Sequence, residues 1–135
     1  MSKKTVSPPA NACPCGSGRD YAACCRPFHA GTSPAPSAEA LMRSRYSAFA
    51  VGDAAYLLRT WHSSTRPAAL DLGDDATRWL GLKILATLGG AEHDAEGRVE
   101  FVARYKVGGK AGRLHEDSRF VREGGQWVYL AGDMR

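Results

Sequence analysis

The sequence predicts an α+β protein: helices first, then an antiparallel meander, with a small cysteine-bearing module ahead of both. Three observations carry this. All four cysteines lie between Cys13 and Cys25. From Leu41 to Trp61 the apolar residues recur at helical spacing. From Arg98 onward they alternate instead, and glycine-rich turns separate the alternating runs.

Residues 1–11 are polar and carry Pro8 and Pro9, which predicts a disordered lead-in. The cysteine module is expected over 12–30, a linker over 31–37, and the main domain over 38–135. Pro27, Gly31, Pro34 and Pro36 predict no regular element between 26 and 37. The module is therefore expected outside the main core, tied on by its linker.

Ser37 offers an N-cap, and Glu39 suits a first helical turn. Met42, Tyr46, Phe49 and Ala50 recur at helical spacing beside Leu41, while Arg43, Ser44 and Ser47 fall elsewhere on the wheel. Gly52 marks a stop and Asp53 a fresh N-cap. Ala54, Leu57, Leu58 and Trp61 continue the pattern, so two helices meet at a corner. His62 to Pro67 breaks it. Ala68 to Leu72 suggests another short helix, before a turn at Gly73-Asp74-Asp75.

Trp79 to Leu88 is apolar and fits helix or strand on periodicity alone. Val99, Phe101, Ala103, Tyr105 and Val107 alternate with Glu100, Val102, Arg104 and Lys106, which predicts a half-buried strand. Gly108 to Gly112 reads as a hairpin connection, Arg113 to Arg122 as the partner strand, and Glu123-Gly124-Gly125 as the next turn. Gln126 to Leu130 is a last short strand.

Composition excludes several classes. The formal net charge of +4 is too mild to argue for nucleic acid by itself; that role needs a continuous basic face. No apolar run approaches the ~20 residues of a membrane span. The N-terminus has lysines but no apolar stretch behind them, so a cytoplasmic location is expected. Clustered cysteines there are metal ligands more often than disulfides.

The cysteines follow the pattern C-x-C-x8-C-C, not the commoner C-x2-C pairs. Zinc takes four such ligands in a tetrahedron, and two close-spaced ligands at each end of a small loop supply them. Gly16 and Gly18 allow the loop to fold back. His29 competes with Cys25 as the fourth ligand. Two local disulfides or unligated thiols are the bland alternative, although a bridge between adjacent Cys24 and Cys25 is strained.

The string Cys13-Pro14-Cys15-Gly16-Ser17-Gly18-Arg19-Asp20-Tyr21 through Cys24-Cys25 resembles the SEC-C motif, a small zinc-binding module. The resemblance implies Cys13, Cys15, Cys24 and Cys25 as ligands of a structural zinc. Four thiolates and Zn²⁺ leave a net −2 site, which Arg19 or Arg26 would offset. Some SEC-C modules contact a chaperone or the ribosome, so the resemblance implies an adaptor whose knuckle docks on a protein or ribosome.

The stretch Ser37 to Phe49, then Thr60-Trp61-His62-Ser63-Ser64-Thr65-Arg66, is similar to the bacterial YchJ family. So are Glu116-Asp117-Ser118-Arg119-Phe120 and Gly125-Gln126-Trp127-Val128-Tyr129. This resemblance implies a fold like nuclear transport factor 2: a curved antiparallel sheet wrapped around helices, forming a cone with a pocket. It also tips Trp79 to Leu88 toward strand. A homodimer through the sheet is a further expectation.

Cones of this kind host enzymes and binding domains alike, so residues must decide. No GxGxxG, GxSxG, P-loop or HExxH pattern occurs. Two acid/base candidates stand out for an isomerase, lyase or hydrolase. His62 follows the second helix beside Trp61. Glu116 shares a strand face with Leu114, Ser118 and Phe120, which puts a carboxylate on the apolar side; Arg43, Arg45 or Arg66 would then be its partner. Tyr46, Tyr56, Trp61, Trp79 and Trp127 are the candidate pocket lining.

Overall fold

The computed structural model describes residues 11–70, 72 and 77–135. The expected lead-in up to residue 10 and the turn at 73–75 lie outside the described residues. The described elements are a 3-10 turn at Tyr21–Ala23, helices α1 (Arg26–His29), α2 (Ala38–Val51) and α3 (Ala54–Arg59), and strands β1 (Thr77–Gly89), β2 (Glu96–Val107), β3 (Lys110–Glu123) and β4 (Gln126–Met134). The strands form one curved antiparallel sheet in the order β1-β2-β3-β4, each paired with its chain neighbour. No helix among the described residues is long and apolar enough to cross a membrane.

Local chemistry sets the helix ends. Ser37 Oγ accepts from the Ala40 amide at 3.1 Å, a cap worth about 1 kcal/mol. Gly52 closes α2 in the left-handed conformation. Asp53 Oδ1 then accepts from the Tyr56 amide at 3.0 Å and starts α3. That helix stops at Thr60, before the expected Trp61, because the chain there joins the sheet. His62 N donates to Tyr129 O, and Tyr129 N donates to Thr60 O, both at 2.8 Å.

Three local expectations need correction. Residues 26–29 form a helical turn despite Pro27, because proline in a first turn removes an amide that would have no helical partner anyway. Residues 68–70 and 72 are irregular rather than helical. So short a stretch gains too few hydrogen bonds to offset helix nucleation; Leu70 and Leu72 pack instead on Ala48, Tyr56 and Leu57. The hairpin connection between β2 and β3 is two residues long: Val107 faces Lys110, and Lys110 to Gly112 belong to β3. Gly108 and Gly109 both have positive φ, 56° and 83°, the geometry that suits the twist of a tight hairpin.

β1 is a strand, with register shifts between Trp79 and Gly81 and between Ile84 and Ala86. These bulges sharpen the sheet's twist. β4 runs four residues past Leu130, to Met134, which faces Glu116 on β3. The inner face of the sheet carries Val99, Phe101, Ala103, Ser118, Phe120 and Trp127, all buried. On β3 the expected inward set of Leu114, Glu116, Ser118 and Phe120 does face inward. His115 and Asp117, from the alternate set, pair across the outer face with Glu100 and Arg98.

The cysteine module is not held off the core. Cys13, Cys15, Cys24 and Cys25 pack in one cluster with Leu41, Met42, Tyr46, Val99 and Phe120. This explains a surprise on α2. Ser44 and Ser47 are both 0% exposed, although the wheel sets them apart from the apolar stripe, and Arg45, one turn from both Leu41 and Phe49, is 4% exposed. Sheet, α3 and cysteine module enclose the helix from different sides, so it has little solvent face to give its polar residues.

Candidate functional site

The cysteine knuckle is built from hydrogen-bonded turns. Cys13 N donates to Arg19 O at 2.9 Å, and Gly16 N to Cys13 O at 3.2 Å. Gly16 and Gly18 take φ of 79° and 87°, which side chains disfavour, so the loop doubles back and pairs Ala12 with Asp20. The 3-10 turn then carries Cys24 and Cys25 under the first pair. All four cysteines are buried and none is disulfide-bonded. Their sulfurs lie within 4.8 Å of one another.

Those spacings fit a metal. A tetrahedron with arms of ~2.3 Å has edges of about 3.8 Å. Cys15 Sγ and Cys24 Sγ are 3.6 Å apart, and Cys24 Sγ and Cys25 Sγ 4.0 Å. Four sulfurs in a cage of that size can hold one metal ion.

Polar groups surround the cage. Ser47 Oγ, on α2, donates to Cys25 Sγ at 3.3 Å and lies 3.4 Å from Cys13 Sγ. Ser17 Oγ is 3.1 Å from Cys24 Sγ. The Arg19 guanidinium reaches Cys24 Sγ at 3.8 Å, and Arg43 donates to Cys15 O at 2.9 Å. The sequence points to Arg19 or Arg26 as counter-charge; Arg43 joins Arg19 there in place of Arg26. A hydrogen bond from Cys25 draws the Cys15 thiol down to about 4. That same bond, and then burial, push Cys25 up, while burial raises Cys24. The bare cage thus favours a thiolate at Cys15 over Cys24 and Cys25, and a dication would be needed to ionise those two.

His29 turns both ring nitrogens elsewhere. Nε2 donates to Ser44 O at 2.8 Å, and Nδ1 is hydrogen-bonded with Tyr21 Oη at 2.6 Å. Its ring also lies against Tyr56, with centroids 4.7 Å apart. The side chain is a strut between knuckle and helices, and the sulfur cluster does not include it.

The cone holds a cavity of about 310 Å³. Tyr46, Trp61 and Trp79 are among its lining residues. Tyr56 and Trp127 border a different hollow, of about 200 Å³, with Leu41 and Arg59. The indole Nε1 atoms of Trp61 and Trp127 are buried without a hydrogen-bond partner among the described residues. Sequence reasoning missed Arg45 and Tyr129 as lining residues. For Tyr129 a signal existed, since it is two residues from Trp127 on one strand.

Glu116 lines the same cavity. Its Oε2 accepts from Ser118 Oγ at 3.0 Å and from Tyr129 Oη at 3.4 Å. Burial first, and then this carboxylate, push the Tyr129 phenol up to about 12, so it remains a donor. Gly132 makes room, because a Cβ there would collide with the Glu116 carboxylate. The expected arginine partner is not formed. Arg43 pairs with Glu39 at 3.1 Å, Arg66 approaches Glu123 at 4.0 Å, and Arg45 is tied to Leu57 O and Thr60 Oγ1. Each is anchored by its own neighbourhood before it can reach Glu116.

His62 is not among the cavity's lining residues. Its Nδ1 lies 2.7 Å from Ser64 Oγ, and its Nε2 lies 3.7 Å from Glu123 Oε2. The two acid/base candidates therefore do not face a common space.

Comparison with known proteins agrees with this architecture. Residues 37–132 match the family described as YchJ, middle NTF2-like domain, and residues 11–27 match the SEC-C motif. A UPF0225 protein from Chromobacterium violaceum is 59% identical, over 90% of this chain and 91% of its own length. Another from Streptomyces coelicolor is 55% identical, over 93% and 97%. Two solved structures are similar. The solution structure of a SEC-C motif containing protein from Rhodopseudomonas palustris has a TM-score of 0.78 at 36% identity, covering 90% of this chain and 96% of that one. The crystal structure of a SEC-C motif containing protein from Psychrobacter arcticus has a TM-score of 0.72 at 28% identity, covering 88% and 80%. With an N-terminal SEC-C motif running into a middle NTF2-like domain, the chain belongs to the YchJ family.

Proposed function

We propose that Cys13, Cys15, Cys24 and Cys25 hold one structural zinc ion, and that the protein is a cytoplasmic binding module rather than a zinc enzyme. The observation that carries this is the sulfur cage, whose edges match a tetrahedral thiolate site. Four protein ligands leave no open position for a substrate or an activated water. The ion's work is then mechanical. It would hold the knuckle against α2 through Ser47 and Arg43, and so support the helix that walls the cone.

The knuckle's outer rim is the surface offered to a protein or ribosomal partner. Gly18, Arg19, Asp20, Ala22 and Arg26 are exposed there, while the sulfurs face inward. A partner would read the rim without touching the ion. The test is capture of partners by the full chain and by the double variant Asp20→Ala, Arg26→Ala, two exposed rim residues whose side chains make no hydrogen bond to the sulfurs among the described residues. The rim variant should keep its metal and lose partners that the unmodified chain retains. Identical partner sets from both would count against the adaptor role.

A second reading is favoured by one observation: a carboxylate, Glu116, faces an apolar cavity. Small-molecule chemistry with Glu116 as acid or base remains compatible with that placement. His62, turned toward Ser64 and Glu123, has no part in it.

A further inference from the structure

The cone cavity has apolar walls, with Met42, Tyr46, Phe49, Trp79 and Phe101 among them. Against those walls sits one deeply buried cation. Arg45 is 4% exposed, and its guanidinium lies 5.0 Å from the ring centre of Trp61 and 4.8 Å from that of Tyr129. Nη1 donates to Leu57 O and Thr60 Oγ1, both at 2.8 Å. Both acceptors are neutral. No carboxylate among the described residues forms an ion pair with it; Glu116 acts on it only at longer range. Burial lowers its pKa to about 10, so it stays charged at neutral pH.

A buried charge ordinarily has a partner, because desolvation costs several kcal/mol per ion. Here the partner is missing on the protein side. Nη1 is the only guanidinium nitrogen with a protein acceptor; Nε and Nη2 have none among the described residues. The neighbouring Trp61 Nε1 is buried and unpaired. A buried donor left over as Trp61 Nε1 is, beside a buried cation with no ion-pair partner among the described residues, is rare and calls for an explanation. Arg45 and Trp61 both line a cavity of about 310 Å³, at the small end of the ~300–1,000 Å³ range of ligand pockets. At the ~30 Å³ that a water takes in the liquid, it has room for about ten non-hydrogen atoms.

We propose that this cavity binds a small organic monoanion, with a flat apolar body against Trp79 and Phe101 and a single carboxylate against Arg45. The ligand's charge completes the ion pair that the protein leaves open. Glu116 on another wall repels a second negative charge, which disfavours dicarboxylates and phosphate esters. The site is separate from the knuckle, and its occupancy does not depend on what the rim recognises.

The test uses the full metal-loaded chain and three probes of graded size: benzoate, phenylacetate and 2-naphthoate. Each is titrated beside its neutral amide and followed by tryptophan fluorescence and calorimetry at pH 7. At least one acid should bind at least tenfold more tightly than its amide. Arg45→Lys should keep a preference for the acid, and Arg45→Gln should abolish it without changing metal content. Equal affinity for acid and amide overturns the proposal, as does failure of all three acids to bind at millimolar concentration. So does an Arg45→Gln protein that keeps the tenfold preference. Should that variant not fold, the acid-against-amide ratios of the unmodified and Arg45→Lys proteins decide.

Discussion

Ser47 is where the knuckle and the helical core meet, and its loss has a calculable effect. The residue is fully buried on α2, and its hydroxyl donates to Cys25 Sγ at 3.3 Å beside Cys13 Sγ at 3.4 Å. With the cage loaded, the acceptor is a thiolate. Hydrogen bonds to charged groups contribute about 1.5–3 kcal/mol. Loss of an outer-shell hydrogen bond typically lowers metal affinity by about 10–100-fold, which is about 1.4–2.7 kcal/mol. The two estimates agree. Ser47→Ala should therefore weaken metal binding by one to two orders of magnitude, measured by competition with a chromogenic chelator. At about 3–4 °C per kcal/mol for a chain of this size, Tm should fall by about 5–10 °C. Ser44→Ala is the control. It is equally buried on α2, but its hydroxyl bonds Tyr56 Oη and Leu41 O, both away from the sulfurs. It should lower Tm and leave metal affinity unchanged. If Ser47→Ala binds metal as tightly as the unmodified protein, or if the two variants lose affinity equally, the coupling of cage to helix is wrong.

Three other expectations are independent of that coupling. Gly132→Ala should destabilise the fold by about 1–3 kcal/mol, because its Cβ invades the berth of the Glu116 carboxylate. Adding Glu116→Ala should recover most of that loss in urea unfolding, and strict additivity would refute the contact. Asp117 is held below the usual aspartate range, first by the hydrogen bond from Arg98 and then by that from Arg135. Such a group stabilises the fold above the ordinary ~3.9 of an unfolded aspartate and loses that contribution as pH falls through its lower folded value. Asp117→Asn should thus flatten the acid side of the stability profile below about pH 4; an unchanged acid limb contradicts this. Ser37→Ala should cost about 1 kcal/mol by removing the cap on the Ala40 amide, and chemical denaturation reads it directly.

What the sequence made legible was local. Ser37, Gly52 and Asp53 marked the ends of α2 and α3 because caps act over one turn. The cysteine spacing marked the cage for the same reason, since all four sulfurs come from one short stretch. The strand β1 resisted periodicity because two register shifts interrupt its alternation. Ser44 and Ser47 were illegible as buried residues, because what covers them arrives from the knuckle and from α3. Arg43 took the place expected for Arg26 through a contact between residues 28 positions apart. Glu116 could be assigned to the inner face from its parity, but its lack of an arginine partner could not. That outcome depends on where Leu57, Thr60, Glu39 and Glu123 hold the three arginines.

The central claim is that one zinc ion, held by four cysteines, is part of the core. Native mass spectrometry of the purified chain, followed by thermal unfolding with and without a strong chelator, tests it most directly. The account predicts one zinc per chain and a large loss of Tm when the ion is stripped. A chain that carries no zinc, and whose Tm the chelator leaves unchanged, would contradict it.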